Sequence, residues 1–268
     1  MEDVWLAEPR NRAVMALSKV PRVTLAFWIV KICATTVGET GGDALSMTLN
    51  LGYAVSTIVF FAFFVVTLGA QVASKKYHPV WYWLVVVATT TVGTTTSDYL
   101  DRTVGLGYIK SSIAEFAAVV LVLVIWHFST GRIEFEHIAS RKNEIFYWTT
   151  ILVTNTLGTA LGDAVADTGL GFERGAIVFA GCIAVVAAVW YFTSVNTAIL
   201  FWATYVLTRP LGATLGDTLT KPHAQGGLQF GRIVSSLSIA AVMIVIIAVT
   251  PLRKTEQVTE EGRAGYTT

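Results

Sequence analysis

Residues 27–43 read FWIVKICATTVGETGGD, and three later segments repeat this lettering: YWLVVVATTTVGTTTSD at 82–98, YWTTILVTNTLGTALGD at 147–163 and FWATYVLTRPLGATLGD at 201–217. Each segment has an aromatic residue before Trp, a Gly ten residues after the Trp and an Asp five residues after that Gly. The four acids follow one another at 55, 65 and 54 residues. Self-similarity at a fixed spacing is typical of repeat architectures. The chain is therefore predicted to contain four copies of one structural unit.

The composition is that of a membrane protein. The 268 residues are 54% hydrophobic and 14% charged, whereas a soluble domain carries about 25% charged residues. Continuous apolar runs of about 20 residues favour membrane-crossing helices over barrel strands, which would alternate polar and apolar residues. We predict an all-α integral membrane protein with eight transmembrane helices arranged as four parallel two-helix repeats. The predicted spans are 24–44, 53–72, 80–99, 111–129, 145–166, 175–193, 197–219 and 231–250. The repeats cover about 23–73, 79–130, 144–194 and 197–250.

Lysine and arginine are distributed unequally between the two sides of this predicted domain. Twelve lie on the side of the chain termini and five on the other side, which places both termini in the cytoplasm. The organisation is then a cytoplasmic segment 1–22, a membrane domain 23–251 and a cytoplasmic tail 252–268. A net charge of +1 offers no basic face for a nucleic acid. Membrane lipid is the expected partner, and the oligomeric state is left open.

The repeated positions separate into two adjoining strips when each segment is placed on a helix at 100° per residue. Positions 10 and 14 after the Trp are small in all four copies, and such a seam lets helix backbones approach closely in lipid. Positions 7, 11 and 15 form a polar strip beside it. The four first helices are expected to enclose a polar lining, with the second helices facing lipid and the repeat Trp residues at the cytoplasmic interface. The predicted lining consists of Thr35, Thr94, Asn155 and Thr159.

Five acids lie in or beside the polar strip: Glu39, Asp43, Asp98, Asp163 and Asp217. Glu39 lies about 16 Å from its Trp and each Asp about 22 Å from its own, which places Glu39 near the membrane midplane and the aspartates in the outer third. Acids at such depths are functional by default, and carboxylate oxygens suit Mg²⁺, Mn²⁺ or Ca²⁺. All five are predicted metal ligands. The alternative makes each Asp a helix-end residue bonded to its own neighbourhood.

Lys31 and Arg209 are the two cations placed deep within the predicted spans. They are the expected partners of the acids, with a coupling or gating role; the alternative is that they only neutralise buried charge. The chain contains no glycine-rich phosphate loop, nucleophile elbow or zinc-protease helix motif. We therefore predict neither an enzyme nor a bound cofactor, with a divalent cation such as Mn²⁺ as the substrate.

Three stretches carry a resemblance to a known family: KVPRVTLAFWIVKICATTVGET at 19–40, EIFYW at 144–148 and LTRPLGATLGD at 207–217. They resemble a bacterial family described only as uncharacterised membrane-anchored proteins, and the resemblance covers nearly the whole chain. It implies a protein of the bacterial cytoplasmic (inner) membrane. The segment GETGGD at 38–43 is also similar to manganese and calcium cation/proton exchangers with a Glu-x-Gly-Asp core, although here Glu and Asp are four residues apart rather than three.

The leading functional hypothesis from the sequence is a transporter of inorganic cations, with Mn²⁺ export in exchange for protons as the best candidate. A passive ion or small-solute channel would use the same polar lining, and parallel repeats around one axis suit a central pore. A scaffold that transports nothing would instead bind a partner through the loop 129–145 or the tail. Substitution of the acids would abolish the first two functions and leave the third intact.

Overall fold

The computed structural model describes residues 19–264 except 22, 75–76, 132, 134–137 and 139, and residues 251–264 by their backbone alone. Most of the predicted segment 1–22, part of the loop 129–145 and the last four residues of the tail lie outside this description. The described chain is all-helical, as predicted. Its α-helices are α1 Leu25–Asp43, α2 Gly52–Ala73, α3 Pro79–Asp98, α4 Tyr108–Thr130, α5 Arg141–Val165, α6 Gly171–Phe192, α7 Thr197–Thr220 and α8 Arg232–Ala264.

Local chemistry explains where the first helices of the repeats begin. The side chains of Thr24, Ser140 and Asn196 accept hydrogen bonds from backbone N–H groups in the first turns of α1, α5 and α7, which otherwise have no partner inside the helix. Helix α3 starts instead at Pro79, because the fixed φ of proline suits the first helical position and its missing N–H costs nothing there.

Asp43 and Asp98 are the last α-helical residues of α1 and α3, and Asp163 lies two residues before the end of α5. Three first helices pass at once into a π-helical turn, at Ala44–Thr48, Tyr99–Thr103 and Ala166–Leu170. The third turn connects α5 to α6 across a kink at which the backbone leaves helical geometry, so that the segment Arg141–Phe192 contains two helices. Gly169 has a φ of 93° within this joint, a backbone conformation that favours glycine because it has no Cβ.

Four helical segments are long and apolar enough to cross a membrane: Gly52–Ala73, Tyr108–Thr130, Arg141–Phe192 and Arg232–Thr250. They show that the chain is a membrane protein. Within the described chain, α1, α3 and α7 fall short of this criterion because their threonines, glycines and acids lower the mean hydropathy. The count of eight crossings therefore remains a prediction.

The four first helices form a closed ring. Helix α1 packs against α3 and α7, and α5 packs against the same two helices. Each second helix packs mainly on the first helix of the next repeat: α2 on α3, α4 on α5, α6 on α7, and α8 back on α1. The last repeat thus closes onto the first, and the outer helices carry large exposed apolar side chains, such as Phe61, Ile113, Ile177 and Val234.

Each of the four interfaces between ring helices contains the same pair of repeat positions. The glycine ten residues after each Trp faces the residue seven after the Trp of a neighbouring ring helix, so closely that an added Cβ would lie less than 3.0 Å from it. The pairs are Gly38 with Thr90, Gly93 with Asn155, Gly158 with Arg209 and Gly212 with Thr35. Because all four neighbouring helix pairs share this register, the ring helices run parallel. The seam of small residues brings their backbones close together, as expected.

An aromatic layer fills one end of the ring. The aromatic residue before each Trp packs at a tilt or edge-on against the Trp of a neighbouring helix, with ring centroids 5.4–5.9 Å apart. The pairs are Phe27 with Trp83, Tyr82 with Trp148, Tyr147 with Trp202 and Phe201 with Trp28. Trp83, Trp148 and Trp202 are buried. The prediction of lipid-interface anchors is wrong for these three, because their rings pack between helices.

The glycine seam gives a stability prediction. We expect Gly93→Ala to destabilise the protein by about 1–3 kcal/mol, because the new Cβ would lie 2.8 Å from the Asn155 carbonyl carbon, a backbone atom that cannot rotate away. Thermal unfolding of the purified protein in detergent measures this effect. Gly69→Ala on α2 is the matched control, since its Cβ would meet nothing within 4 Å. Equal melting temperatures for the two variants would contradict a tightly closed ring.

Candidate functional site

Arg209 lies at the centre of the ring. Its side chain is fully buried, and the two N–H groups of its Nη2 are shared among three acceptors within hydrogen-bond distance: Glu39 Oε2 at 2.9 Å, Thr94 Oγ1 at 2.5 Å and Thr159 Oγ1 at 2.5 Å. These acceptors belong to α1, α3 and α5, so one guanidinium from α7 reaches all three other ring helices. On α7 itself the corresponding position is Ala213, whose small side chain leaves room for the guanidinium.

The repeat acids form a layer beyond Arg209, at the end of the ring opposite the aromatic layer. We call this end the acid end. There, Arg102 joins two neighbouring repeats, with its Nε 3.0 Å from Asp98 Oδ1 and its Nη2 2.9 Å from Asp163 Oδ2. Arg102 thereby connects the second and third repeats at the acid end.

Lys221 makes the equivalent bridge on the other side of the ring. Its Nζ lies 2.8 Å from Asp43 Oδ2 and 3.1 Å from Asp217 Oδ1. Arg232 Nε is a second partner of Asp43 Oδ2, at 3.4 Å. Burial alone would lower the pKa of the Lys221 ammonium, but Asp217 and Asp43 outweigh burial and hold that pKa well above its usual range. Lys221 therefore stays charged beside these acids.

Three acids at the interface of α1 and α3 form a cluster that fits a metal ion. Glu39, Asp43 and Asp98 are buried, and each offers one carboxylate oxygen within 4.8 Å of the oxygens offered by the other two. Two oxygens on opposite sides of an ion, each about 2.4 Å away, are about 4.8 Å apart. Asp43 Oδ1 and Asp98 Oδ2 have no hydrogen-bond partner among the described residues, so two oxygens of this cluster are free to bind.

The charges of the acid end do not balance. Glu39 and the four repeat aspartates face four cations in ion pairs, namely Arg102, Arg209, Lys221 and Arg232. Five carboxyl groups against four cations leave one carboxyl of the described network that needs either a proton or a further cation. Buried charge without a partner is costly in a medium of low dielectric constant, and a bound cation would remove that cost.

Lys31 lies on the other side of Arg209 from the acids. Its Nζ is 4.2 Å from the centroid of the Tyr205 ring and has no hydrogen-bond partner among the described residues. The prediction that Lys31 pairs with an acid is wrong, whereas Arg209 does pair with Glu39. The reason is distance: eight residues of helix place Lys31 about 12 Å along the axis from Glu39.

The predicted polar lining divides into two pairs. Thr94 and Thr159 meet Arg209 on the axis, as described above. Thr35 and Asn155 lie between helices instead: Thr35 Oγ1 is 2.8 Å from the Ile32 carbonyl of its own helix and 3.3 Å from the Thr208 carbonyl of α7, and Asn155 Nδ2 donates to Thr89 Oγ1 at 3.0 Å. These two side chains join ring helices together.

Sequence reasoning counted Arg102, Lys221 and Arg232 among the five cations of the outer side and missed their place in the site. A signal for the first two exists, because Arg102 follows Asp98 by four residues and Lys221 follows Asp217 by four. Oppositely charged residues at this spacing lie on one face of a helix. The sequence offers no comparable signal for Arg232.

A cavity of about 520 Å³ opens beside the acid layer. Asp163, Asp167, Glu173 and Arg174 contribute charged groups to its wall, together with the ring of Phe172. Three acids against one cation make it attractive to positive ions. Asp163 is the repeat acid that borders this cavity.

Comparison with known proteins identifies the repeats. A family model described as Repeat of Unknown Function (DUF347) matches the chain four times, at residues 26–77, 81–132, 146–196 and 200–254. Each match begins two residues before a repeat Trp, so the predicted four-repeat organisation is confirmed. No curated protein and no solved structure matches the chain. The similarity to cation/proton exchangers gains no support from these findings.

Proposed function

The chain belongs to this family of repeats, and from its acid layer we propose that it transports divalent inorganic cations across the bacterial inner membrane, with Mn²⁺ as the leading substrate. The observation that carries the proposal is the buried group Glu39, Asp43 and Asp98, whose oxygens lie within 4.8 Å of one another. Asp163 and Asp217 would contribute to the acid layer through their ion pairs with Arg102 and Lys221.

The ligand chemistry favours a hard divalent ion. The three proposed ligands are carboxylates, with no histidine or cysteine in the group, and such ligands suit Mg²⁺, Ca²⁺ and Mn²⁺ better than Zn²⁺ or Cu⁺. Mg²⁺ gives up its water reluctantly and usually keeps several water ligands, which a buried group has little room for. Mn²⁺ therefore leads, with Ca²⁺ next.

A carrier explains the ring better than an open channel does. The side chain of Arg209 crosses the axis, and the aromatic layer fills the end beyond Lys31. An ion that travels along the axis must first separate Arg209 from Glu39. Such a step is expected of a carrier that alternates between a metal-bound and a metal-free state. In the metal-free state, Arg209 would neutralise Glu39.

Coupling to protons follows from the direction of the membrane potential. A potential that is negative inside favours the inward movement of each elementary charge by about 2.3 kcal/mol per 100 mV. A divalent cation enters a cell without further energy, but its export needs a second gradient. We therefore propose export in exchange for protons, with the aromatic end facing the cytoplasm.

The test is thermal stabilisation of the purified protein by a panel of cations. We expect Mn²⁺ to raise the melting temperature, because an ion that binds only the folded state at 100 times its Kd adds about 2.7 kcal/mol of stability. Ca²⁺ should follow, and Mg²⁺, Zn²⁺ and Na⁺ at matched ionic strength should have smaller effects. If every divalent ion has the same effect as Na⁺, the proposed site does not exist.

A further inference from the structure

Lys31 is a buried cation that the proposed metal site does not use. Its side chain is fully buried, and the Tyr205 ring 4.2 Å away is the contact that offers its ammonium a cation–π interaction. An ammonium in such surroundings is held weakly, because burial without an acceptor penalises the charged form. Lys31 can therefore exchange between ammonium and neutral amine with modest help from a neighbouring charge.

The neighbouring charge is Arg209. It repels the Lys31 ammonium and lies one helical turn, about 6 Å, further along the axis. Helix α1 packs on α3, α7 and α8. On α3 the buried titratable group at the aromatic end is Tyr82, which is hydrogen-bonded to Tyr147 of α5, and α8 has no titratable residue between 233 and 250. The repulsion by Arg209 is offset while its Nη2 pairs with Glu39 at 2.9 Å.

We propose that Lys31 is a proton-binding group of the exchange, so that a divalent cation at Glu39, Asp43 and Asp98 and a proton on Lys31 exclude one another. This inference rests on the proposed function. A metal ion that binds Glu39 takes away the carboxylate that neutralises Arg209. The bare guanidinium then repels the Lys31 ammonium more strongly, and one N–H bond breaks with its electron pair left on Nζ. No oxidation or reduction is involved.

Tyrosines lie beside Lys31 and in the aromatic layer. The Tyr205 ring lies against Lys31, and its hydroxyl has no hydrogen-bond partner among the described residues. In the aromatic layer the Tyr82 and Tyr147 hydroxyls lie 2.7 Å apart and are hydrogen-bonded to each other. Tyr77, at the α2–α3 connection, stacks edge-on against Tyr82 with centroids 5.9 Å apart. Tyrosine hydroxyls are thus present at the aromatic end beside Lys31, and the proton that leaves Nζ is taken up by water.

The experiment counts protons released when Mn²⁺ is added to the purified protein in weakly buffered detergent solution with a pH-indicator dye. We expect the wild type to release about one proton per Mn²⁺, and its Mn²⁺ affinity to change about tenfold per pH unit where Lys31 titrates. Lys31→Met should still bind Mn²⁺, but without this proton and with an affinity less dependent on pH. Lys110→Met, an exposed lysine on α4, is the matched control and should behave as the wild type.

The outcomes separate this inference from the function on which it rests. If wild type and Lys31→Met bind Mn²⁺ and release equal numbers of protons, the protons come from the carboxylates and Lys31 is not the exchanging group. Binding by the wild type with no proton release would also overturn the inference, and this measurement needs no variant. If the wild type binds no Mn²⁺ at all, the metal site itself fails.

Discussion

Asp98→Asn is expected to abolish Mn²⁺ transport while the protein still folds and reaches the membrane. The substitution keeps the shape of the side chain but removes one of the three carboxylates that would hold the ion. Partners outside the ligand shell of a metal typically contribute about 10- to 100-fold in affinity, and loss of a ligand should cost more. Folding should survive because Arg102, the ion-pair partner of Asp98, keeps Asp163 at 2.9 Å.

The measurement is Mn²⁺ flux into vesicles that contain the purified protein and a Mn²⁺-quenched dye. Asp167→Asn is the matched control, because Asp167 is an exposed acid on the cavity wall, and its flux should remain near that of the wild type. Asp163→Asn should fall between the two, since Asp163 lies in the acid layer but outside the three-carboxylate group. Equal loss of flux in Asp167→Asn and Asp98→Asn would mean that general negative charge, rather than a ligand, was removed.

Arg209→Met is expected to cause the largest loss of stability. The change leaves Glu39 buried without its cation, and removal of one partner from a buried ion pair typically costs about 3–5 kcal/mol. It also removes the hydrogen bonds that Arg209 donates to Thr94 and Thr159 on two further helices. Denaturation of the purified protein in detergent, followed by tryptophan fluorescence, measures the difference.

A second variant makes this prediction specific to the ion pair. The double variant Glu39→Gln/Arg209→Met lacks both buried charges. Its loss of unfolding free energy should therefore be smaller than the sum of the losses in the two single variants. Arg174→Met is the control for the loss of an arginine: Arg174 is exposed, and its replacement should change stability by no more than about 0.5 kcal/mol. Strictly additive effects would show that Arg209 and Glu39 do not stabilise one another.

The helices and the ring contacts could be predicted from the repeated lettering. The step from Trp to Gly to Asp recurs without change, so it marks the same helix four times, and the predicted spans lie close to the observed helices. The close helix contacts follow from Gly38, Gly93, Gly158 and Gly212. At each of these glycines the neighbouring helix lies so close that no side chain would fit.

The placement of the second helices could not be predicted. Each is joined by chain to the first helix of its own repeat, yet it packs mainly on the first helix of the next one. A uniformly apolar surface carries no information about which neighbour it covers, because lipid-facing helices are held by shape and by small residues rather than by a hydrophobic stripe. The connections and their turns decide the partner.

The site could be predicted in part. Glu39 occurs only in the first copy and Arg209 only in the fourth, and they meet because the ring closes and brings these two copies together. The sequence contains the charges but not their pairing. It therefore suggested Lys31 as a partner for the acids, although Lys31 lies too far along the axis. The three-carboxylate group also depends on how α1 and α3 are aligned, which one helix considered alone does not reveal.

Counting the Mn²⁺ ions bound per chain by electron paramagnetic resonance tests the central claim most directly. With wild-type protein at a concentration above the Kd, we predict that one Mn²⁺ per chain loses its aqueous spectrum, and that Asp98→Asn leaves all of the Mn²⁺ free. A wild type that leaves the aqueous signal unchanged, or an Asp98→Asn variant that binds as much Mn²⁺ as the wild type, would contradict a cation site built from Glu39, Asp43 and Asp98.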